Sequence, residues 1–476
     1  METTGPALLV LLLVSIVLIV GLIAWRKVHP FLAIVLATYV FGLGALAVGA
    51  VLDTPEPVIE DLNGAIGEGF GGILSGIGLV ILFGTIIGKF LERTGAAVTL
   101  ADGVLRVIGE KRPALAMSVI GWTVSIPVFC DSGYVVMSPL QRSIAKRTGT
   151  SSVVLGTSLA TGLYASHTFV PPTPGPIAAA GNVGIGAEDL IWVILAGLFV
   201  SSLVAGAGLL WATRATRGLT ASLTDVEQTF EEYKAQFPAI PSLGRALAPI
   251  LVPIGLMAVG SVAAFPSGED GTLVEGFAGE VLAFLGTPVA ALLIGVLLAI
   301  ALLPERRDEE TLTRWVGEGI VDAAVILTIT GAGGAFGAVI RATPIPDYIQ
   351  SLVGDGSGLT GVTALLVLFA IAALLKTAQG STTAALVITS TIAAPLLPAL
   401  GLDGELGAVP IGQVLAVMAI GSGSMVVSHV NDSYFWVVSQ FSGMSVTTAY
   451  RAHTAATLVQ GLTGIATTAA LGAVLL

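Results

Sequence analysis

Four polar clusters interrupt long apolar stretches of this 476-residue chain. Their hydroxyl, amide and carboxylate groups can hydrogen-bond the oxygens of a small ligand. The clusters are Asp131-Ser132-Gly133, Ser166-His167-Thr168 with Thr173, Gln379-Gly380-Ser381-Thr382-Thr383, and Ser428-His429 with Asn431-Asp432. Helix N-termini and hairpin tips expose N–H groups of partial positive charge, which suit an anion. The sequence therefore predicts a binding site for a small polyhydroxy anion rather than for a cation or a lipid.

Four ionisable residues in these clusters are candidates for carrying a coupled proton, namely Asp131, His167, His429 and Asp432. Ionisable groups at membrane depth are costly and usually functional, and histidine titrates near neutral pH. The alternative for each histidine is a hydrogen-bonded residue between packed helices, and for each aspartate it is a helix cap. The sequence leaves both alternatives open.

Lys376, beside the third cluster, has two interpretations of its own. Its ammonium group either neutralises an anionic substrate or reaches the membrane interface on its long apolar stem. The glycine-rich segments 331–337 and 84–89 resemble nucleotide-binding loops, but no strand precedes them in these apolar spans, so helix packing is favoured. No catalytic residue, metal site or cofactor is predicted, and any transport would be secondary rather than ATP-driven.

The elements that must position these groups are membrane helices. The chain is 54 % hydrophobic and 11 % charged, with a mean hydropathy of +0.94, whereas soluble domains carry about 25 % charged residues. Charge-free stretches of at least 18 residues recur along the chain and can span or enter a bilayer. The segment 281–303 is predicted to cross it. The lone Cys130 excludes an intrachain disulfide. We expect an integral membrane protein in contact with the lipid bilayer, without a nucleic-acid partner.

Two helices are predicted to break inside the membrane. A stretch of 40 residues without Asp, Glu, Lys or Arg contains four prolines within 171–176, and proline removes a backbone donor and clashes with the preceding turn. We predict a broken helix over 151–181, with Ser166-His167-Thr168 at its break, and a second one over 409–443, broken near Ser428. Irregular backbone at this depth survives only beside protein or a water-filled cavity, and secondary transporters build their sites from it.

The distribution of Lys and Arg predicts the orientation of the spans, because basic residues favour cytoplasmic loops. The first 25 residues lack a basic start and a small-residue cleavage site, so we expect a retained helix with its N-terminus outside. Segment 113–140 has basic residues at both ends and is predicted as a re-entrant hairpin, as is 357–398. In this layout every Lys and Arg faces the cytoplasm except Arg341 and Lys376.

The two halves of the chain show the same order of elements, which predicts an inverted repeat. Phe83-Gly84 matches Phe336-Gly337 at an offset of 253 residues, and Ser166-His167 matches Ser428-His429 at an offset of 262. The predicted fold class is an all-α polytopic membrane protein with two re-entrant hairpins and two broken helices. The predicted units are scaffold helices at 1–52 and 246–303, repeat halves at 53–217 and 304–476, and a cytoplasmic linker at 218–245.

Three stretches of the chain resemble signature sequences of the gluconate permease (gluconate:H⁺ symporter) family. They are His167–Ala180, Thr377–Ala384 and Ser428–Trp436. The resemblance implies proton-coupled uptake of gluconate or related sugar acids, while some members take other small hydroxy acids or D-serine. It also implies an elevator-type transporter, often a homodimer, in which hairpins and broken helices carry the substrate past a scaffold.

The predicted function is secondary active transport across the cytoplasmic membrane, with uptake of gluconate or a related sugar acid together with protons. The alternative is a Na⁺- or H⁺-coupled transporter of small hydroxy acids, dicarboxylates or D-serine. A second alternative is an intramembrane hydrolase that uses a serine within 421–424 with His429 or His453. It is disfavoured because no oxyanion-type motif accompanies these residues.

Overall fold

The computed structural model describes the whole chain except residues 1–3, 53–57, 110, 187–188, 222–234, 238, 264–265, 268–270, 273, 275, 304–308, 346, 349–359 and 430–431. The described part is helical apart from a short antiparallel ribbon, in which Pro266–Ser267 (β1) pairs with Gly271–Thr272 (β2), and an isolated bridge. The predicted all-α class is therefore confirmed. Much of the predicted linker at 218–245 lies outside the described residues.

The described helices of the first half include both predicted interrupted elements. They are α1 (Gly5–Ala24), α2 (Pro30–Val51), α3 (Leu62–Arg93), α4 (Ala96–Ile108), α5 (Pro113–Val124), α6 (Cys130–Thr148), α7 (Ser152–Phe169), α8 (Pro174–Asn182) and α9 (Leu190–Ala215). The segment predicted as the first hairpin consists of α5 and the start of α6, joined by residues 125–129. The first broken helix consists of α7 and α8.

The described helices of the second half include the other two predicted interrupted elements. They are α10 (Leu243–Ala263), α11 (Gly276–Gly286), α12 (Pro288–Ile300), α13 (Glu309–Arg341), α14 (Val362–Gln379), α15 (Thr382–Ala393), α16 (Ile411–Ser424), α17 (Ser433–Phe441), α18 (Val446–Ala449) and α19 (Ala455–Leu475). A 3₁₀ turn, Ala394–Leu396, follows α15, and a π-helical turn, Tyr450–Thr454, joins α18 to α19. The second hairpin segment is α14 and α15, and the second broken helix is α16 and α17.

Seven helical segments of the described chain are long and apolar enough to cross a membrane. They are Gly5–Ile23, Pro30–Val51, Leu62–Arg93, Leu190–Ala215, Leu243–Gly260, Thr311–Arg341 and Val446–Leu475. The bent pair α11 and α12 would supply an eighth span. These lengths fit the predicted multi-pass membrane protein, because a span needs roughly 20 apolar residues.

The span predicted at 281–303 contains a sharp bend. Its residues belong to α11 and α12, whose axes differ by 68°. Thr287 separates the two helices with φ −61° and ψ 136°, and Pro288 follows it. A residue before proline is pushed out of the helical region, so the bend arises from the local Thr-Pro sequence.

The first break also lies later than predicted. Helix α7 continues through Ser166, His167 and Thr168 to Phe169, and Val170 then turns extended with φ −111° and ψ 115° immediately before Pro171. The backbone departs from helix only at the residue that precedes the first proline, as the steric clash requires. The polar Ser-His-Thr triplet is therefore helical, and residues 170–173 form the break.

Helix α7 lies at the centre of the molecule, and all of its residues are buried. It packs against α5 at a crossing where Gly162 faces the backbone of α5, and a Cβ at Gly162 would lie 3.0 Å from the backbone nitrogen of Trp122. Small residues let membrane helices approach this closely. At its other end, Phe169 packs against Gly421 of α16, so the first arms of the two broken helices touch.

The second arms cross over between the two halves. Helix α8, the second arm of the first broken helix, packs on α15 of the second hairpin. Helix α17, the second arm of the second broken helix, packs on α6 of the first hairpin. Each break thus lies beside the hairpin of the other half, which brings three of the four polar clusters into one region.

Candidate functional site

A buried ion pair joins the second hairpin to the second break. The Nζ of Lys376, in the last turn of α14, lies 2.6 Å from Oδ2 of Asp432, and their side chains are 0 % and 6 % exposed. Lys376 also donates to the carbonyl oxygen of Gly380 at 2.5 Å. The interpretation in which Lys376 reaches the membrane interface is therefore wrong, because its ammonium group is enclosed and paired.

Asp432 is both a helix cap and a charged partner. Its Oδ1 accepts from the backbone N–H of Tyr434 at 3.1 Å, which caps α17, while Ser428 Oγ donates to Oδ2 at 2.5 Å. A side-chain cap of this kind stabilises a helix start by about 1 kcal/mol. The cap and the functional interpretation are thus compatible, because the two carboxylate oxygens have different partners.

Ser428 is held in place by the π turn and by the helix that follows it. Its backbone N–H donates to Thr457 Oγ1 at 3.0 Å, and its carbonyl oxygen accepts from Thr454 Oγ1 at 2.5 Å. With its backbone fixed from both sides, the Ser428 hydroxyl lies between the carboxylate of Asp432 and the imidazole of His453.

His453 is a site residue that the sequence indicated only for the hydrolase alternative. It is fully buried in the π turn, and its Nε2 lies 3.1 Å from Ser428 Oγ. Single π turns inside helices are frequent at functional sites. The arrangement is not a catalytic triad, since Asp432 contacts Ser428 and Lys376 instead of orienting the histidine, as a triad carboxylate does. In the sequence, His453 is recognisable only as an ionisable residue in the charge-free stretch after Arg451.

The first hairpin meets this network through Asp131. Asp131 lies in the first turn of α6, and its Oδ1 accepts from Ser433 Oγ, next to Asp432 in the chain, at 3.1 Å. Ser132 is half-buried beside it. Gly133 faces α7, where a Cβ would lie 2.7 Å from Leu163, so Gly133 serves close helix packing.

The tip of the second hairpin contacts both broken helices. Gly380 ends α14 in the left-handed region with φ +85°, a conformation that glycine adopts without strain. Ser381 caps α15, and Thr382 Oγ1 lies 2.6 Å from the hydroxyl of Tyr164 on α7. His429, in the second break, places its Nε2 2.9 Å from the carbonyl oxygen of Thr377. Gln379 is the last residue of α14.

Most hydroxyls of the predicted cluster at Ser166-His167-Thr168 and Thr173 have local partners, within α7 or within the break that follows it. The hydroxyl of Thr168 donates to Tyr164 O at 2.8 Å, that of Thr173 to Val170 O at 2.5 Å, and that of Ser166 to Leu163 O at 3.5 Å. His167 packs 5.6 Å from the Phe129 ring, and its buried Nδ1 has no hydrogen-bond partner among the described residues. Of this cluster, only His167 keeps an unsatisfied polar atom.

The structure thus brings Asp131, Gly380, Thr382, Ser428, His429 and Asp432 together. Asn431 lies outside the described residues. Lys376 joins them, with Tyr164 and Tyr434 stacked at 5.3 Å between the helices. The two tyrosines gave only a weak sequence signal, since aromatic residues in apolar helices usually belong to the core. Together these residues enclose the ammonium group of Lys376 amid hydroxyls and carboxyls.

Comparisons with known proteins agree over nearly the full length. The family model described as GntP family permease matches residues 7–474. The chain is 32 % identical to a gluconate permease of Pseudomonas aeruginosa (95 % of both chains) and to the high-affinity gluconate transporter of Escherichia coli K12 (92 % and 93 %). It is also 32 % identical to the D-serine transporter DsdX of Escherichia coli K12 (96 % of both chains).

Among solved structures, the chain is similar to the YdaH transporter of Alcanivorax borkumensis. The TM-score is 0.64 at 17 % identity, over 93 % of this chain and 98 % of the other. At that identity the likeness shows a shared fold.

Proposed function

We propose that this chain, which belongs to the GntP permease family, takes up gluconate or a related sugar acid together with protons. The family resemblance predicted from three sequence stretches is confirmed, as are a transport function and a multi-pass membrane protein. The chain is a transporter and not an enzyme.

The substrate class is supported by the 32 % identity that the chain shares with named transporters over 92–96 % of its length. Relatives named for gluconate and for D-serine are equally similar to this chain. Both compounds carry a carboxylate and at least one hydroxyl group, so a common site needs a cation with hydroxyl-binding side chains around it. The Lys376 ammonium, together with Thr382 and Ser428, matches that need.

Several clusters supply further contacts in this proposal. The substrate-binding residues are Asp131, Ser132, Gly133, Ser166, His167, Thr168, Thr173, Gln379, Gly380, Ser381, Thr382, Ser428, His429 and Asn431. The groups available for proton coupling are Asp131, His167, His429 and Asp432. A role for Asp131 and Asp432 in proton coupling is supported by their proximity. Ser433 donates to the Asp131 carboxylate and directly follows Asp432 in the chain.

An elevator mechanism with an inverted repeat is the second part of the proposal. It is supported by the matched packing of the halves, since α5 packs on α7 as α14 packs on α16, and α8 contacts α15 as α17 contacts α6. The hairpins and broken helices would move together, while 1–52 and 246–303 form a scaffold at which two copies associate. Discontinuous helices at a repeat interface are a common transporter design.

The membrane and the orientation follow from the charge distribution. We assign the protein to the cytoplasmic membrane with its N-terminus outside, because nearly all basic residues then lie in cytoplasmic loops.

Counterflow in proteoliposomes tests the substrate. Vesicles preloaded with one unlabelled acid are given labelled gluconate, and a panel of sugar acids, hydroxy acids, dicarboxylates and D-serine is compared at clamped pH. We expect sugar acids to drive the greatest exchange and an inward proton gradient to drive accumulation. Accumulation that needs Na⁺ and persists without a pH gradient would favour the alternative transporter of small hydroxy acids, dicarboxylates or D-serine.

A further inference from the structure

One continuous hydrogen-bonded chain runs through the site from a histidine to a lysine. His453 Nε2 lies 3.1 Å from Ser428 Oγ, Ser428 Oγ donates to Asp432 Oδ2 at 2.5 Å, and Lys376 Nζ lies 2.6 Å from the same carboxylate oxygen. The four residues come from the π turn, the second break and the second hairpin. All four are buried.

The enclosed ammonium group of Lys376 requires an anion. Removing a charged group from water without a partner is strongly unfavourable, and Lys376 is 0 % exposed. In the described structure its partner is the carboxylate of Asp432. A substrate carboxylate that approaches Lys376 meets a cation already neutralised, and a second anion there would repel Asp432.

We propose that protonation of Asp432 releases Lys376 for the substrate, so that the proton and the organic anion bind as one neutral unit. This inference rests on the proposed function. When Asp432 is neutral, the substrate carboxylate replaces it as the partner of Lys376, and the buried charge stays balanced. When the proton leaves, Asp432 regains Lys376 and expels the substrate. Substrate affinity and proton affinity then rise together, as linkage between two sites demands.

The proton reaches Asp432 through Ser428. Protonated His453 transfers its Nε2 proton to Ser428 Oγ, while the hydroxyl proton of Ser428 moves to Asp432 Oδ2. The imidazolium becomes a neutral imidazole and the carboxylate a carboxylic acid, so that one proton has moved and Ser428 is unchanged. His453 and Ser428 act through Asp432 and are positioning and relay residues.

Other titratable groups also face this region and set the field around Asp432. They are Lys376 on α14, Cys130 and Asp131 on α6, Tyr164 and His167 on α7, His429 in the break, Tyr434 on α17 and His453 in the π turn. The substitution Asp432→Asn removes the proposed proton site and leaves the others in place. A change in the pH dependence of Asp432→Asn therefore reports on Asp432 itself.

Equilibrium binding of labelled gluconate to the purified full-length protein, measured across pH, tests the exchange. We expect the Kd of the wild-type protein to rise about tenfold per pH unit on the alkaline side, because one proton must be bound with each anion. Asp432→Asn should bind gluconate with a Kd that no longer depends on pH. It should still catalyse counterflow but lose accumulation driven by a proton gradient.

A matched control is available in a second ion pair away from the site. Lys89 and Asp322 lie 2.9 Å apart between α3 and α13, and Asp322→Asn should keep the wild-type pH slope. If folded Asp432→Asn retains that slope, or loses gluconate binding altogether, the exchange on Lys376 is refuted. If wild-type protein binds none of the tested acids, the proposed function itself fails.

The relay is tested with separate variants, and these also test the proposal if Asp432→Asn does not fold. His453→Gln should slow proton-driven uptake at least tenfold and flatten the pH profile of the uptake rate, while counterflow, which needs no net proton movement, stays within about twofold. Ser428→Ala, at a residue that also contacts the substrate, should lose proton-driven uptake, and Ser428→Thr should restore it. Equal losses of uptake and counterflow in His453→Gln would overturn the relay and indicate a structural role.

Discussion

The pair formed by Lys376 and Asp432 makes a quantitative prediction about stability. The two side chains are almost fully enclosed, and their charged atoms lie 2.6 Å apart. The perturbation is to remove one charge at a time with Lys376→Met or Asp432→Asn, and then to remove both. Each substitution nearly preserves the volume of the side chain, so that charge is the principal change.

The expected magnitudes follow from the contacts. Each single variant leaves one buried charge without its partner, which costs about 3–5 kcal/mol of unfolding free energy. The double variant leaves no unpaired charge. It loses mainly the hydrogen bonds from Lys376 to Gly380 and from Ser428 to Asp432, at about 1 kcal/mol each. The double variant should therefore be more stable than either single variant.

The assay is a double-mutant cycle on unfolding in mixed detergent micelles, followed by circular dichroism and tryptophan fluorescence. The control cycle uses Lys89→Met and Asp322→Asn, whose side chains are 15 % and 36 % exposed. Such a partly exposed pair should contribute about 0–1 kcal/mol. Additive losses at Lys376 and Asp432, or a single Lys376→Met variant as stable as the wild type, would refute the reasoning that charge balance dominates this site.

Three further predictions concern other parts of the site. Asp131→Asn and His429→Ala should each abolish concentrative uptake with normal expression, and wild-type accumulation in vesicles would remove that residue from the proposed site. Tyr164→Phe loses the hydrogen bond of 2.6 Å between Tyr164 and Thr382, which contributes about 1 kcal/mol. The transport KM should therefore rise about fivefold. An unchanged KM would show that this hydrogen bond does not position Thr382 for substrate. Gly162→Leu should prevent folding, because its side chain would collide with the α5 backbone, and a monodisperse, active variant would contradict the tight crossing.

Local features of the sequence were enough to predict most elements and both interruptions. The prolines of 171–176 interrupt a helix whatever surrounds them, because the missing backbone donor and the clash with the preceding turn are properties of proline itself. The break begins at Val170 rather than at the polar Ser166, because Pro171 restricts the backbone of the residue that precedes it. The bend at Thr287 has the same cause, since Pro288 follows it.

The partners of the polar residues could not be predicted in this way. Lys376 and Asp432 are 56 residues apart, and Asp131 and Ser433 are 302 apart. Whether two such side chains meet depends on the direction in which each leaves its helix and on how closely the helices cross. If the lysine stood one position earlier or later in α14, its side chain would point about 100° away around the helix axis and would miss the break.

What the sequence by itself determined is the class of the protein, the apolar spans, the places where helices must stop and the polar residues available at those places. These depend on hydropathy and on backbone sterics, which act over a few residues. What only the tertiary structure decided is that the lysine is enclosed, that it neutralises Asp432, and that His453 reaches the same carboxylate through Ser428. The physical reason is that the free energy of a buried charge depends on its whole surroundings, and those surroundings exist only after the helices have packed.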